Sequence, residues 1–286
     1  MRLLVAPLFV FFWSTGFIVA RAVVPHADMQ LFLVYRFGSV AILLGLAAAA
    51  ARVHWPGRRE TAWHLLVGAV MMGVYLVLSY WAIAHGLPAG IMALIGALQP
   101  LFTAMLLLSR RHSRPSPMTW LGLLVGFSGV VLVLLPRLEN AGSALANYPG
   151  IAAAILSVAA LTLGTLAQKR LGGDDLRVAG CLQNIGAAAV AAAALFGFGT
   201  LRWDDSIALW GILLWGVLVS SILAQGLLMW MMRHGEATRV TALMLLVPPL
   251  AAAMAFVLFG ETLSPIQFVG FALALAGVLL ARRVVS

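Results

Sequence analysis

The sequence predicts an all-α integral membrane protein with ten transmembrane helices, arranged as two inverted five-helix repeats. Three observations predict this. First, the 286-residue chain is 63% hydrophobic and 9% charged, with a mean hydropathy of +1.04; a soluble domain carries roughly 25% charged residues. Second, most of its length falls into apolar runs that match the roughly 20 residues needed to cross about 30 Å of hydrocarbon. Third, the stretch from Trp81 to Met105 recurs 149 residues later, from Trp230 to Met254, with nine of 25 aligned positions identical. A second match follows: Ser116-Pro117-x4-Gly122-x6-Gly129-Val130 repeats 148 residues on as Ser264-Pro265-x4-Gly270-x6-Gly277-Val278.

The predicted spans are 3–22, 31–51, 62–84, 89–109, 118–136, 149–169, 177–198, 207–231, 238–259 and 265–282. Span one has a single Arg before a long apolar run and no small-residue cleavage site, so it reads as a retained helix. Within it lie Trp13, Ser14 and Thr15. Span two carries Arg36, the one charge inside a span, about five residues or roughly 8 Å from its end. Span three carries Tyr75, Ser79, Tyr80 and Trp81 and ends at His85-Gly86. Span four holds Gln99-Pro100 near its middle, and span five has the small-residue spacing Gly122-x3-Gly126 that suits close helix contact. Span six contains Thr162, Thr165 and Gln168; span seven contains Gln183, Asn184 and an Ala-rich packing run over 187–194. Gln225 and Trp230 lie in span eight. Pro248-Pro249 falls at mid-span nine, and Gly270-x3-Ala274 marks span ten as a packing surface.

The connections are short and rich in Pro, Gly and Arg, leaving no room for a soluble domain. With the N-terminus on the cytoplasmic side, 14 of the 18 Lys and Arg residues fall in cytoplasmic segments, three fall opposite, and Arg36 is within a span. Basic residues collect inside, so both termini are expected in the cytoplasm. This placement also accounts for the net charge of +9 without nucleic acid. Five spans per copy is an odd number, so the second copy enters the membrane from the opposite side, the inverted topology of many transporters. The expected boundaries are 1–142 and 143–286. A single cysteine, Cys181, excludes an internal disulfide and a cysteine metal cluster. No cofactor, metal or nucleic acid is expected, and the chain is expected to act as a monomer in the lipid bilayer on a small-molecule substrate.

The paired prolines are the strongest pointer to a site. Each proline removes a helix hydrogen bond, and in a membrane the freed carbonyls need neighbours, water or a ligand. Breaks at Pro100 and at Pro248-Pro249, matched between the halves, fit a shared central cavity, and packing kinks are the competing reading. Candidate substrate-binding residues are Trp13, Thr15, Tyr75, Ser79, Gln99, Thr162, Gln183 and Gln225. For the amides, pairing between helices competes with substrate binding. For the aromatic residues, stacking on a ring or cation–π contact with an ammonium competes with anchoring at the membrane surface. Two roles fit Arg36: snorkelling to the surface or attracting a substrate carboxylate. All nine acidic residues lie in loops or at span ends. A proton-coupled carrier commonly uses an intramembrane carboxylate, so facilitated movement or exchange is expected. His85 and His234 read as repeated helix-end caps on opposite faces, which argues against a membrane enzyme built on them.

Several motifs resemble the drug/metabolite transporter superfamily, in its EamA-type ten-span branch. They are Gly260-Glu261-Thr-Leu-Ser264-Pro265-x-Gln267-x2-Gly270-x6-Gly277-Val278 near the end, Trp13-Ser-Thr-Gly16-Phe17 in span one, and Arg36 in span two. Within that branch the chain is most similar to bacterial aromatic amino acid exporters. The resemblance implies export of small metabolites, aromatic amino acids foremost, across a bacterial cytoplasmic membrane by alternating access. Other amphipathic metabolites or drugs are the alternative cargo. The first half departs from the family pattern: Ser109-Arg110-Arg111-His112 stands where a Gly-Glu element would fall.

Overall fold

The computed structural model describes residues 2–87, 89–108, 115–139, 147–171, 174–235, 237–259 and 264–282. The Gly260-Glu261 element, its first-half counterpart at 109–112 and the 140–146 junction between the halves lie outside these residues. Among the described residues every regular element is helical, apart from an isolated bridge between Ala27 and Trp203.

Ten helical segments follow the predicted spans. They are α1 (Arg2–Val23), α2 (Met29–Ala50), α3 (Arg58–Ala84), α4 (Ala89–Gly96 and Gln99–Leu107) and α5 (Pro117–Glu139). The second half has α6 (Tyr148–Gln168), α7 (Leu176–Phe198), α8 (Ile207–His234), α9 (Ala237–Ala242 through Val247–Phe259) and α10 (Pro265–Arg282). Seven are long and apolar enough to cross a membrane; α4, α9 and α10 are shorter apolar helices. The two central ones are shortened by interruptions. α4 breaks at Ala97–Leu98, just ahead of Gln99-Pro100, and α9 tightens to a 3-10 turn at Leu243–Leu246 before Val247.

Helix starts follow local capping. Asp28 caps α2 by accepting from Gln30 N–H (2.8 Å) and Leu31 N–H (3.0 Å). Asp175 caps the corresponding helix α7 through Arg177 N–H at 2.8 Å. These side-chain oxygens satisfy amides that the first turn leaves free. Asp28 also accepts from the Thr200 N–H and hydroxyl at 2.9 and 3.0 Å, tying the α1–α2 turn to the α7–α8 loop. Burial pushes its carboxyl up, but the hydrogen bonds from Leu31, Thr200 and Gln30 outweigh that and hold it below its ordinary value. Arg202 adds to the clamp by donating to Pro25 O (3.2 Å) and Ala27 O (3.1 Å). Asn147 caps α6 through Gly150 N–H and donates to His85 O at 2.8 Å, joining the end of α3 to the second half.

The halves meet backbone to backbone. A Cβ on Gly277 of α10 would stand 2.2 Å from Gly126 N of α5, and one on Gly129 would stand 2.4 Å from Ala274 N. α3 presses on α7 as closely: a Cβ on Gly186 would stand 2.0 Å from Leu65 O, and one on Gly68 2.0 Å from Gln183 O. Such approach is what association in lipid requires, since burial from water no longer drives it.

Two outcomes test these contacts. Gly277→Leu should cost at least about 3 kcal/mol by overpacking, seen as a lowered melting midpoint and loss of monodisperse protein. Gly38→Leu, where a Cβ meets nothing within 4 Å, should leave both unchanged. At the cap of α7, the Arg177 side chain, ahead of the backbone bond, holds the Asp175 carboxyl at about 2. Its folded value lies below the unfolded one, so its stabilisation is complete above the unfolded value and fades as pH falls toward the folded one. Asp175→Asn should therefore lower the melting midpoint by a constant amount between about pH 5 and 8, and by less below about pH 4.

Candidate functional site

A small, partly open cavity of about 40 Å³ lies between α1, α2, α3, α4 and α8. Its walls owe their shape to two departures from regular helix. α3 widens to a π-helical stretch at Ala69–Val74, and α8 does so at Gly216–Leu223. The repeat offset of 149 carries 69–74 onto 218–223, so both halves place the irregularity at the same depth. A π turn rotates the residues that follow it and is common at functional sites. In α3 it brings Met72, Tyr75 and Ser79 to the cavity; in α8 it carries Ser220 there and places Ser221 behind it.

Among the described residues that line the cavity, Arg36 is the one charge. Its side chain does not snorkel to the surface: it is 3% exposed, its Nε donates to Ser221 Oγ at 2.8 Å, and its Nη1 donates to Tyr80 Oη at 3.4 Å. Its Cδ lies beside Gly216 of α8, where a Cβ would make ordinary contact at 3.5 Å. Among the described residues no carboxylate pairs with it. Trp13, Phe17, Tyr75 and Tyr80 supply aromatic walls. Ser79 Oγ donates to Tyr75 O at 2.7 Å and lies 3.1 Å from Ser157 of α6.

The sequence-predicted residues divide in space. Trp13, Tyr75 and Ser79 come together around Arg36 in the cavity. Thr15 lies behind the wall, 3.2 Å from Ser220 and bonded to Phe12 O at 2.7 Å. Gln99 is fully buried against α6, with Nε2 3.5 Å from Thr165 Oγ1 and its Oε1 unpartnered. Thr162 bonds back to Val158 O at 2.7 Å within its own helix. Pro100, Pro248 and Pro249 follow the interruptions in α4 and α9 and do not line the cavity.

Gln183 and Gln225 belong to a separate amide chain between α3, α6, α7 and α8. Gln183 Nε2 donates to Gln168 Oε1 at 2.5 Å, Gln225 Nε2 to Gln183 Oε1 at 3.4 Å, and Asn184 Nδ2 to Gln225 Oε1 at 3.2 Å. His64, fully buried, joins the chain through Gln183 and contacts Asp174 at 2.7 Å. Buried amides cost free energy until paired, and here they pair mainly with one another.

Sequence reasoning passed over His64, Ser220 and Ser221. The two serines, adjacent in an apolar run, were the available signal. His64 lies near a predicted span end and carried none. His85 and His234 fold back alike: each Nδ1 lies 2.8 Å from the carbonyl four residues earlier, and each ring stacks on that residue's indole, Trp81 or Trp230.

Comparison with known proteins gives this cavity a context. The chain matches the EamA-like transporter family over residues 2–135 and again over 148–283. It is 27% identical over 278 residues to a "Probable terminal-alkyne amino-acid exporter" of Streptantibioticus cattleyicolor, covering 95% of this chain and 90% of that one. It is 28% identical over 162 residues to Protein PecM of Dickeya dadantii, covering 56% of this chain and 50% of that one. A solved crystal structure shares the fold with a TM-score of 0.79 at 19% identity, covering 98% of this chain and 96% of the other. With both halves matched, the chain belongs to the EamA-like transporter family, and it is a multi-pass membrane transporter of the metabolite-exporter kind, not an enzyme.

Proposed function

We propose that the protein exports amino acids, those with aromatic and other apolar side chains foremost, from a bacterial cytoplasm through the inner membrane. It works as a monomer with both termini in the cytoplasm, by alternating access of two halves, 1–142 and 143–286. Movement is facilitated or by exchange, since the sequence places the acidic residues in loops or at span ends, Glu60 in the first turn of α3 among them. The amino-acid exporter relative and the 14-to-3 distribution of basic residues support this reading.

The observation that carries it is Arg36. A guanidinium out of water needs a counter-charge, and among the described residues this one has only a serine and a tyrosine hydroxyl. A substrate carboxylate supplies the missing charge, and Arg offers it a planar two-pronged donor. Trp13, Tyr75 and Tyr80 then take an apolar side chain, and their ring faces attract the substrate ammonium.

Purified protein in proteoliposomes should move labelled phenylalanine and tryptophan, with no strict dependence on a pH gradient. Arg36→Gln should weaken phenylalanine binding roughly 10- to 100-fold, the loss expected for a hydrogen bond to a charged group. Arg36→Lys, which keeps the charge and loses the fork, should fall between. Phenylethylamine, lacking the carboxylate, should not compete. Equal competition by phenylethylamine, or unchanged binding by Arg36→Gln, would remove the carboxylate role. No transport of any amino acid would remove the whole reading.

A further inference from the structure

The chain of buried amides ends at a histidine. The His64 ring is fully buried in α3, and its Nε2 lies 2.7 Å from Asp174 Oδ2. Asp174 stands in the turn before α7 with its side chain 27% exposed, so this end of the chain meets water. A carboxylate only accepts; the neutral ring therefore keeps its proton on Nε2 and turns a bare Nδ1 toward Gln183 Nε2, 3.4 Å away. Beyond Gln183 the amides all point one way. Asn184 donates to Gln225, Gln225 to Gln183, and Gln183 to Gln168. Among the described residues this direction leaves one atom idle at each end, Asn184 Oδ1 and Gln168 Nε2.

Turning every amide over would employ those two atoms and idle Asn184 Nδ2 and Gln168 Oε1 in their place. The links between the amides are kept, and the one bond given up is Asn184 Nδ2 to Gly180 O at 2.8 Å. The two directions are thus closely balanced, and His64 Nδ1 selects between them. A bare Nδ1 accepts from Gln183 Nε2. A protonated Nδ1 would meet that amide donor to donor, and needs Gln183 Oε1 instead. Histidine changes charge between about pH 5 and 8. In the reversed chain a charged His64 donates to Asp174 and to Gln183 together, and both belong to the second half. Hydrogen bonds from an ionised donor are roughly twice as strong as neutral ones.

The other charges at this end are placed elsewhere. Arg233 of α8 donates to the Asp174 carbonyl at 2.5 Å, and Asp175 and Arg177 pair with each other at 2.8 Å. Arg58, Arg59 and Glu60 on α3, and Lys169 and Arg170 past the end of α6, are exposed. Cys181 of α7 turns toward Gly45 of α2.

We propose that His64 is a regulatory proton site. Protonation reverses the amide chain, ties α3 to the second half and slows transport when the cytoplasm turns acid. The proposed topology puts this end of the bundle in the cytoplasm, where the halves have to part to admit substrate. The proton enters and leaves past Asp174 on one side, so none is carried across and no gradient is needed. The proposal rests on alternating access and not on which solute is carried.

Phenylalanine stays a zwitterion over the range needed. Its transport in proteoliposomes, with equal pH inside and out, should fall roughly fivefold from pH 8 to pH 5.5, the low end of ordinary coupling between two sites. His64→Gln should show one rate at both pH values. Asp174→Asn, a change at a partly exposed turn, should lose most of the fall, and His85→Gln should keep it. No fall in the unchanged protein overturns the proposal, as does a full fall in Asp174→Asn or in folded His64→Gln. If the unchanged protein moves no amino acid, the amino-acid reading fails and the proton site is read by NMR. The side-chain amide signals of Gln183 and Gln225 should then shift between pH 8 and 5.5, and stay fixed in His64→Gln. Signals fixed in the unchanged protein also overturn the proposal.

Discussion

The arrangement depends on glycine contacts that let one half touch the other through bare backbone. α5 meets α10 at Gly126 and Gly277, and α3 meets α7 at Gly68 and Gly186, with distances that no Cβ could occupy. In a bilayer the tails solvate Leu as well as another helix does, so close van der Waals approach has to hold the bundle. The α3–α7 contacts set where α3 runs, and so where its π-helical stretch presents Tyr75. Trp13, Arg36 and Tyr80 face one another only because this framework is fixed.

The halves match in backbone more than in chemistry. Asp28 caps α2 and Asp175 caps α7; eight residues on from each stand Arg36 and Gln183. One half therefore places a cation at the depth where the other places an amide. On the α3–α7 side, close glycine contacts and the Gln168–Gln183–Gln225 chain fill the space. On the α2–α8 side, Arg36 reaches across to Ser221 and an open cavity remains. Two related interfaces, one filled and one open, fit the alternating access proposed above.

Much of this was legible in the sequence, for physical reasons. Hydrocarbon demands long apolar runs, so helix positions could be read directly, and the matched prolines announced irregular backbone in α4 and α9. The structure sets each interruption just ahead of its proline, because proline lacks a donor and fits best in a first turn. The π-helical stretches left no such mark: Ala69–Val74 is an ordinary apolar string, and its geometry comes from packing against α6 and α7. Gln183 and Gln99 illustrate a second limit. A buried amide needs a partner whether that partner is a substrate or another helix, and only the fold identifies which. His64 was invisible because its partner, Asp174, lies 110 residues away.

Arg36 shows most sharply what position along a span can and cannot decide. Five residues from a helix end, a guanidinium can reach the surface or turn inward, and the two cost similar conformational freedom. The balance is set by what α8 offers on the inward side. Ser221 accepts from Nε at 2.8 Å, and Tyr80 accepts from Nη1. These neutral acceptors are enough to draw the group in but do not cancel its charge, because a hydroxyl dipole offsets only part of an ion's desolvation. A fully compensated Arg would gain little from binding an anion, and an uncompensated one could not be buried at all. The site lies between these limits, and in the function proposed above that partial compensation leaves free energy for a substrate carboxylate.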